Sequence, residues 1–144
     1  MINYVPTYLK YIRINPVNGE VTSPFGYRTN PILGVLEFHD GIDIAVMEGT
    51  PVVSVIAGVV TEIRYSNTFG NLIRINSETN GYEIMYAHLN EIIVSVGDVV
   101  EKGQKVATSG NTGLSTGPHL HYTVLYNGEL RDPIYYFERD FSYD

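Results

Sequence analysis

Two histidines stand one residue apart in Gly117-Pro118-His119-Leu120-His121, and the residues that follow, Tyr122 to Tyr126, are β-branched and aromatic, the composition of a strand. Residues two apart on a strand face the same way. His119 and His121 are therefore expected to project together, with Leu120 turned into a core. Two imidazoles held side by side can share a metal, or divide the work so that one binds metal and the other handles a proton. Alone, a His-x-His on a strand is better read as a pair of solvated polar residues. It gains weight because the chain has only four histidines, and the other two sit in equally suggestive places.

His39 and Asp43 are four apart, with Asp40, Gly41 and the β-branched Ile42 between them. Gly41, Ile42 and Ile44 disfavour a helix. In an extended segment the even spacing puts the imidazole and the carboxylate on one face. That pair suits a zinc ion lacking a third ligand, which His119 or His121 can supply. A structural His–Asp hydrogen bond is the competing reading for the pair by itself. Tyr86 and His88 are two apart in Tyr86-Ala87-His88, so they too are expected to share a strand face. His88 then becomes a second proton-handling group, where a lone histidine would be an ordinary half-buried residue.

These groups need rigid elements to hold them. Short apolar or alternating segments recur between glycine turns: residues 52–56, 59–65, 72–76, 82–88, 92–96, 105–109 and 120–126. Asn80-Gly81 is a hairpin signal, and Asn127-Gly128 makes another turn. No stretch holds a helical apolar period over three turns. The expectation is an all-β fold of mostly antiparallel sheets, a partly open barrel or sandwich whose long loops form a groove. The glycine- and hydroxyl-rich loop at residues 110–117, containing Ser115 and Thr116, is expected to be a mobile groove wall leading into His119. Residues 1–19 are read as an N-terminal extension draped on the domain, residues 20–137 as the domain and residues 138–144 as a tail.

The bulk composition narrows the function. At 144 residues with 44% hydrophobic side chains the chain can bury a core. A net charge of -7 argues against nucleic acid as a partner, because phosphates would be repelled. The absence of cysteine excludes thiolate zinc sites, disulfides and a cysteine nucleophile. No apolar run reaches the ~18 residues of a membrane span, so no membrane insertion is expected. Residues 1–13 lack the pattern of a signal peptide. The oligomeric state is not specified.

Taken in order, His39 with Asp43, Tyr86-Ala87-His88-Leu89, and Ser115-Thr116-Gly117-Pro118-His119-Leu120-His121 resemble the three signatures of the lysostaphin/LytM-type zinc endopeptidases. Ser23-Pro24-Phe25-Gly26-Tyr27-Arg28 and Arg131-Asp132-Pro133 resemble flanking stretches of the same family. The likeness runs from about Val21 to about Tyr136. It implies a duplicated hybrid motif fold, one Zn2+ per chain held by His39, Asp43 and His121, and attack of a zinc-activated water on an amide. His88 and His119 would move protons, which of them is the main base being left open. Tyr86, Ser115 and Thr116 would support the substrate or the transition state. The implied substrate is the peptide of bacterial cell-wall peptidoglycan, at a glycyl-glycine or a D-alanyl bond. The implied place of action is the wall, outside the cytoplasm. Delivery would follow lysis or virion carriage, as for a phage endolysin, or excision from a longer protein. Arg28-Thr29-Asn30-Pro31 departs from the family's Arg-x-His-Pro. Two other classes compete. A non-catalytic regulator that binds the wall would lack metal ligands, and here all are present. A lipoyl or biotinyl carrier domain needs a lysine at a hairpin tip, and residues 66–90 contain none.

Overall fold

Hydrogen-bonded strands fill most of the computed structural model, which describes residues 12–138. Twelve strands run in chain order: β1 (Glu20–Ser23), β2 (Gly26–Thr29), β3 (Leu36–His39), β4 (Ile42–Ala45), β5 (Pro51–Val53), β6 (Gly58–Ser66), β7 (Gly70–Ser77), β8 (Tyr82–Ile92), β9 (Val99–Val100), β10 (Lys105–Ser109), β11 (His119–Tyr126) and β12 (Glu129–Arg131). A 3-10 turn at Pro133–Tyr136 follows, capped by the Asp132 side chain accepting from the Ile134 N–H. All pairings are antiparallel. The main sheet runs β1-β4-β11-β8-β7-β6-β9, with β5, β10 and β12 branching from it, and does not close into a barrel. The β2–β3 ribbon is a separate two-stranded sheet. The all-β expectation holds. No helix among the described residues is long and apolar enough to cross a membrane.

The two faces of the central strands do different jobs. Leu120, Tyr122 and Val124 of β11 and Ile84 and Tyr86 of β8 point into the main core with Ile42, Ile44, Ile73 and Ile75. Met85 and Ala87 point the other way and meet Leu72 and Phe69 in a smaller apolar cluster. His121 and Thr123 alternate onto that second face, opposite the core residues of their own strand. The strand β8 changes partner along its length: its first half pairs β11, and Leu89, Glu91 and Ile92 pair β10.

Turn chemistry sets the registers. Gly81 lies at φ 77° between β7 and β8. Asn127 and Gly128 lie at φ 50° and 81° between β11 and β12, so both residues are in the left-handed region that a two-residue hairpin of matching twist requires. Residues 92–96 were expected as a strand; instead β8 runs on to Ile92, and the chain then leaves the sheet. Of the expected N-terminal extension, residues 1–11 lie outside the described residues. Within residues 12–19, Ile12 and Val17 are buried in the main core, and the Pro16 carbonyl accepts from the Val53 N–H. Most of the expected tail, residues 139–144, also lies outside the described residues.

Candidate active site

Register brings the first pair together. In the antiparallel pairing of β4 with β11, Asp43 stands directly opposite His121, and Ala45 opposite His119. The Asp43 Oδ1 to His121 Nδ1 distance is 3.1 Å. His39 arrives differently from the expectation of one extended segment carrying both residues. It ends β3 in the small ribbon, and the Asp40-Gly41 corner turns the chain into β4. The corner brings His39 Nε2 to 3.2 Å from both Asp43 Oδ1 and His121 Nδ1.

The outer edges of these rings are tied down. His39 Nδ1 lies 2.8 Å from the Pro24 carbonyl, which can only accept, so Nδ1 donates there and Nε2 is the ring nitrogen turned toward Asp43 and His121. His121 Nε2 lies 2.8 Å from Asp40 Oδ1. The ligand atoms of His39, Asp43 and His121 all fall within 4.8 Å of one another. Three electron-pair donors aimed at one point repel unless a cation sits among them. Two imidazoles and one carboxylate, with no thiolate, are a donor set that suits a catalytic zinc and leaves coordination positions open. The set therefore fits a metal ion. Charge in the metal-free chain follows the same logic. Burial pushes the His121 pKa down, but hydrogen bonds to Asp40 and Asp43 outweigh it and raise it to about 9. Asp43 is also pushed up by burial, and His121 and His39 overcome this to hold it far below the usual carboxylate range. Arg28 Nη1 lies 3.4 Å from Asp43 Oδ2, on the side away from the imidazoles' Oδ1.

His88 and His119 form a second pair, with ring centroids 4.7 Å apart. Each is fixed through Nδ1 by a backbone carbonyl: Thr112 O at 2.6 Å from His88, Gly117 O at 2.8 Å from His119. A carbonyl accepts only, so both rings donate from Nδ1 to the backbone and Nε2 is the ring nitrogen left for the groove. His119 Nε2 stands 3.7 Å from Asp43 Oδ1. Burial lowers the His88 pKa to about 4, with the Thr112 carbonyl opposing the shift, so the ring is neutral at pH 7.

One expected member is absent from the groove. Tyr86 is fully buried in the main core; its hydroxyl donates to the Val53 carbonyl at 2.8 Å and accepts from the Val55 N–H at 3.1 Å. The cause is a bulge. Opposite β7, Leu89 pairs Asn71 but Tyr86 pairs Ile73, so β8 holds one extra residue there. His88 takes it up at φ 58°, a left-handed conformation uncommon outside glycine. The extra residue breaks the two-residue alternation. It turns His88 onto the groove face beside Phe69 and leaves Tyr86 on the core face.

The loop at residues 110–117 is pinned rather than loose. Thr112 Oγ1 donates to the Leu89 carbonyl and accepts from the Asn71 N–H, and Leu114 N–H donates to Thr68. Its second half lines the groove: Ser115 and Thr116 border the same hollow as His39, His88 and His119. Ser115 Oγ lies 3.3 Å from His119 Nδ1. The opposite wall is the turn between β2 and β3. There Asn30, at the departure noted in the sequence, accepts from the Ile32 and Leu33 N–H groups and donates to Glu37. Asp40, Phe69, Thr112 and Pro24 were not singled out by sequence. Only Asp40 carried a usable signal, as a carboxylate next to a candidate ligand.

The chain is 39% identical over 106 residues to a peptidoglycan DD-endopeptidase, ShyC, of Vibrio cholerae, covering 74% of this chain and 24% of that protein. Its fold matches the crystal structure of a zinc-containing peptidase from Vibrio cholerae at TM-score 0.77 and 34% identity, over 90% of this chain and 40% of that one. It also matches the catalytic domain of the antimicrobial peptidase lysostaphin from Staphylococcus simulans at TM-score 0.72 and 33% identity, over 81% and 90%. The chain spans about a quarter of the length of the curated relatives it matches. Residues 37–133, which hold all four histidines and Asp43, match the family described as Peptidase family M23, and the chain belongs to it.

Proposed function

We propose that this chain is a zinc-dependent endopeptidase that hydrolyses peptide cross-links of bacterial cell-wall peptidoglycan, acting outside the cytoplasm. The observation that carries the reading is the convergence of three ligand atoms, His39 Nε2, His121 Nδ1 and Asp43 Oδ1, in a groove that also presents the paired imidazoles of His88 and His119. His39, Asp43 and His121 would hold the zinc. When bound, it supplies a Lewis acid that polarises a carbonyl and makes a nearby water acidic enough to attack at neutral pH. His88 and His119 offer bare Nε2 atoms to accept the proton and to return it to the leaving amine. The carbonyls of Thr112 and Gly117 keep both rings in the competent tautomer. Ser115 and Thr116, in the lining of the groove, would bind the peptide backbone of the substrate. Phe69 shields the imidazoles from one side, at 5.7 Å from the His121 ring and 6.3 Å from His88. The substrate comes from the relatives: a peptidoglycan DD-endopeptidase among the curated proteins and lysostaphin among the structures.

The test is mass spectrometry of fragments released from purified peptidoglycans, some with glycine bridges and some with direct cross-links. Zinc-loaded protein releases fragments with a new amine and a new carboxylate at one bond type, and a chelator stops the release. His88→Ala and His119→Ala keep near one zinc per chain and lose hydrolysis by roughly 10²–10⁴-fold. No fragment from any wall type at full zinc loading overturns the proposal.

A further inference from the structure

Asp40 follows a proposed metal ligand in the chain but serves a different one. Its Oδ1 lies 2.8 Å from Nε2 of His121, eighty-one positions away. The His121 side chain is 3% exposed, so water does not compete for that nitrogen. Thr123 closes the group, its Oγ1 standing 3.0 Å from His121 Nε2 and 3.4 Å from Asp40 Oδ1. Asp40 and Asp43 therefore occupy opposite edges of one ring, with Nε2 facing Asp40 and Nδ1 facing Asp43. Asp40 cannot share an ion with the other three, because the imidazole stands between.

We propose that Asp40 is a positioning residue: it takes the Nε2–H of His121 and so leaves the Nδ1 lone pair for the metal. This rests on the proposed function above. A neutral imidazole carries one N–H and chooses which nitrogen bears it by the partners on offer. Without Asp40, the carboxylate at Nδ1 is the stronger acceptor. The proton would settle between His121 and Asp43, 3.1 Å apart, and tie up both donors. An acceptor-only carboxylate on the far edge reverses that choice and raises the basicity of Nδ1. The fold builds the contact at the Asp40-Gly41 corner. A Cβ on Gly41 would lie 2.2 Å from the Tyr122 carbonyl oxygen, so only glycine lets the corner approach β11 closely enough for Asp40 to reach the ring.

The experiment compares the full chain with Asp40→Ala and Asp40→Asn. Zinc affinity is measured by chelator competition at several pH values and reduced to its pH-independent part. Asp40→Ala is expected to lose 10–100-fold. Asp40→Asn, whose carbonyl oxygen accepts the same bond, recovers most of the loss, and Asp40→Leu, which fills a similar volume without an acceptor, does not, a difference a purely steric role would not produce. Long-range nitrogen–proton NMR of zinc-loaded wild type gives a readout that needs no variant. It is expected to show His121 metallated at Nδ1, with an exchange-protected Nε2–H. Metallation at Nε2, or wild-type affinity in Asp40→Ala, overturns the inference and leaves the proposed function standing. A wild-type chain that binds no zinc overturns both.

Discussion

Gly41→Ala tests whether the backbone approach of β4 to β11 sets the metal geometry. An added Cβ would stand 2.2 Å from the Tyr122 oxygen, 2.8 Å from the Tyr122 carbonyl carbon and 2.8 Å from Thr123 Oγ1. The first two atoms are backbone and cannot rotate away. Ordinary contact begins near 3.4 Å, so the strands must part by about 1 Å at this point. Gly41 does not lie in the left-handed region, so the penalty is steric and not conformational. The next register pairs are Ile42 with Tyr122 and Asp43 with His121, and the opening passes directly to the ligand pair. Overpacking of this kind costs about 1–3 kcal/mol, which lowers the melting temperature of a chain this long by roughly 3–10 °C. The metal suffers more, since a site tolerates only a few tenths of an ångström in ligand distances. Zinc affinity is expected to fall by more than tenfold, and hydrolysis at saturating zinc by about 10²-fold. Gly117→Ala is the control for stability: nothing lies within 4 Å of a Cβ there, and its melting temperature should stay near wild type. The assays are differential scanning calorimetry and chelator competition. Wild-type zinc affinity and melting in Gly41→Ala, or equal damage to melting in Gly117→Ala, refute the reasoning.

Because His121 is raised to about 9, its ring is protonated in the metal-free chain at pH 7. Zinc uptake there should release about one proton, falling to none near pH 10; calorimetry in buffers of different ionisation enthalpy reads this, and zero release at pH 7 would contradict the assignment. In the metal-free chain His121 and His88 pull stability in opposite directions. The raised pKa of His121 gives stability that is full below pH 6.5 and fades as pH climbs through 9. The lowered pKa of His88 gives stability that is full above pH 6.5 and fades as pH falls towards 4. Chemical denaturation of metal-free protein should therefore show one histidine-dependent loss on each side of neutrality, and His88→Ala should remove the acid-side one. Tyr86→Phe deletes two buried hydrogen bonds and should cost about 1–3 kcal/mol while hydrolysis per folded molecule stays unchanged. Lost hydrolysis with an unchanged melting temperature would return Tyr86 to the substrate groove.

The sequence made some of this site legible because strands impose simple rules. Alternation was enough to turn His119 and His121 away from Leu120, and Asn127-Gly128 was enough to mark a hairpin. Alternation misled where the chain broke it. Tyr86 and His88 parted company because a bulge inserted one residue, and no residue type in Tyr86-Ala87-His88 announces a histidine at positive φ. His39 and Asp43 met as expected, but through a corner between two sheets and not along one strand.

The four histidines were visible from the start, yet nothing in their spacing could sort them by charge state. Burial lowers the His88 pKa against the opposing pull of the Thr112 carbonyl, whereas hydrogen bonds to two carboxylates raise that of His121. His121 faces the Asp40 carboxylate, which makes its opposite nitrogen a strong base for a cation, whether zinc or a proton. His88 and His119 face the uncharged carbonyls of Thr112 and Gly117, which fix the tautomer without adding negative charge. One of those carbonyls belongs to the loop body, held by Asn71 and Leu89, and the other to its exit before β11. The loop at residues 110–117 thus differs from a flexible wall in a way that matters for chemistry. If it drifted, both rings would lose their Nδ1–H acceptor and could present N–H instead of a lone pair to the groove. On the proposed function, rigidity in this glycine-rich segment would serve the acid–base chemistry by holding both rings. The Gly113 backbone pressed against Gly70, where a Cβ would lie 2.3 Å from the Gly70 nitrogen, is one of the contacts that maintain it.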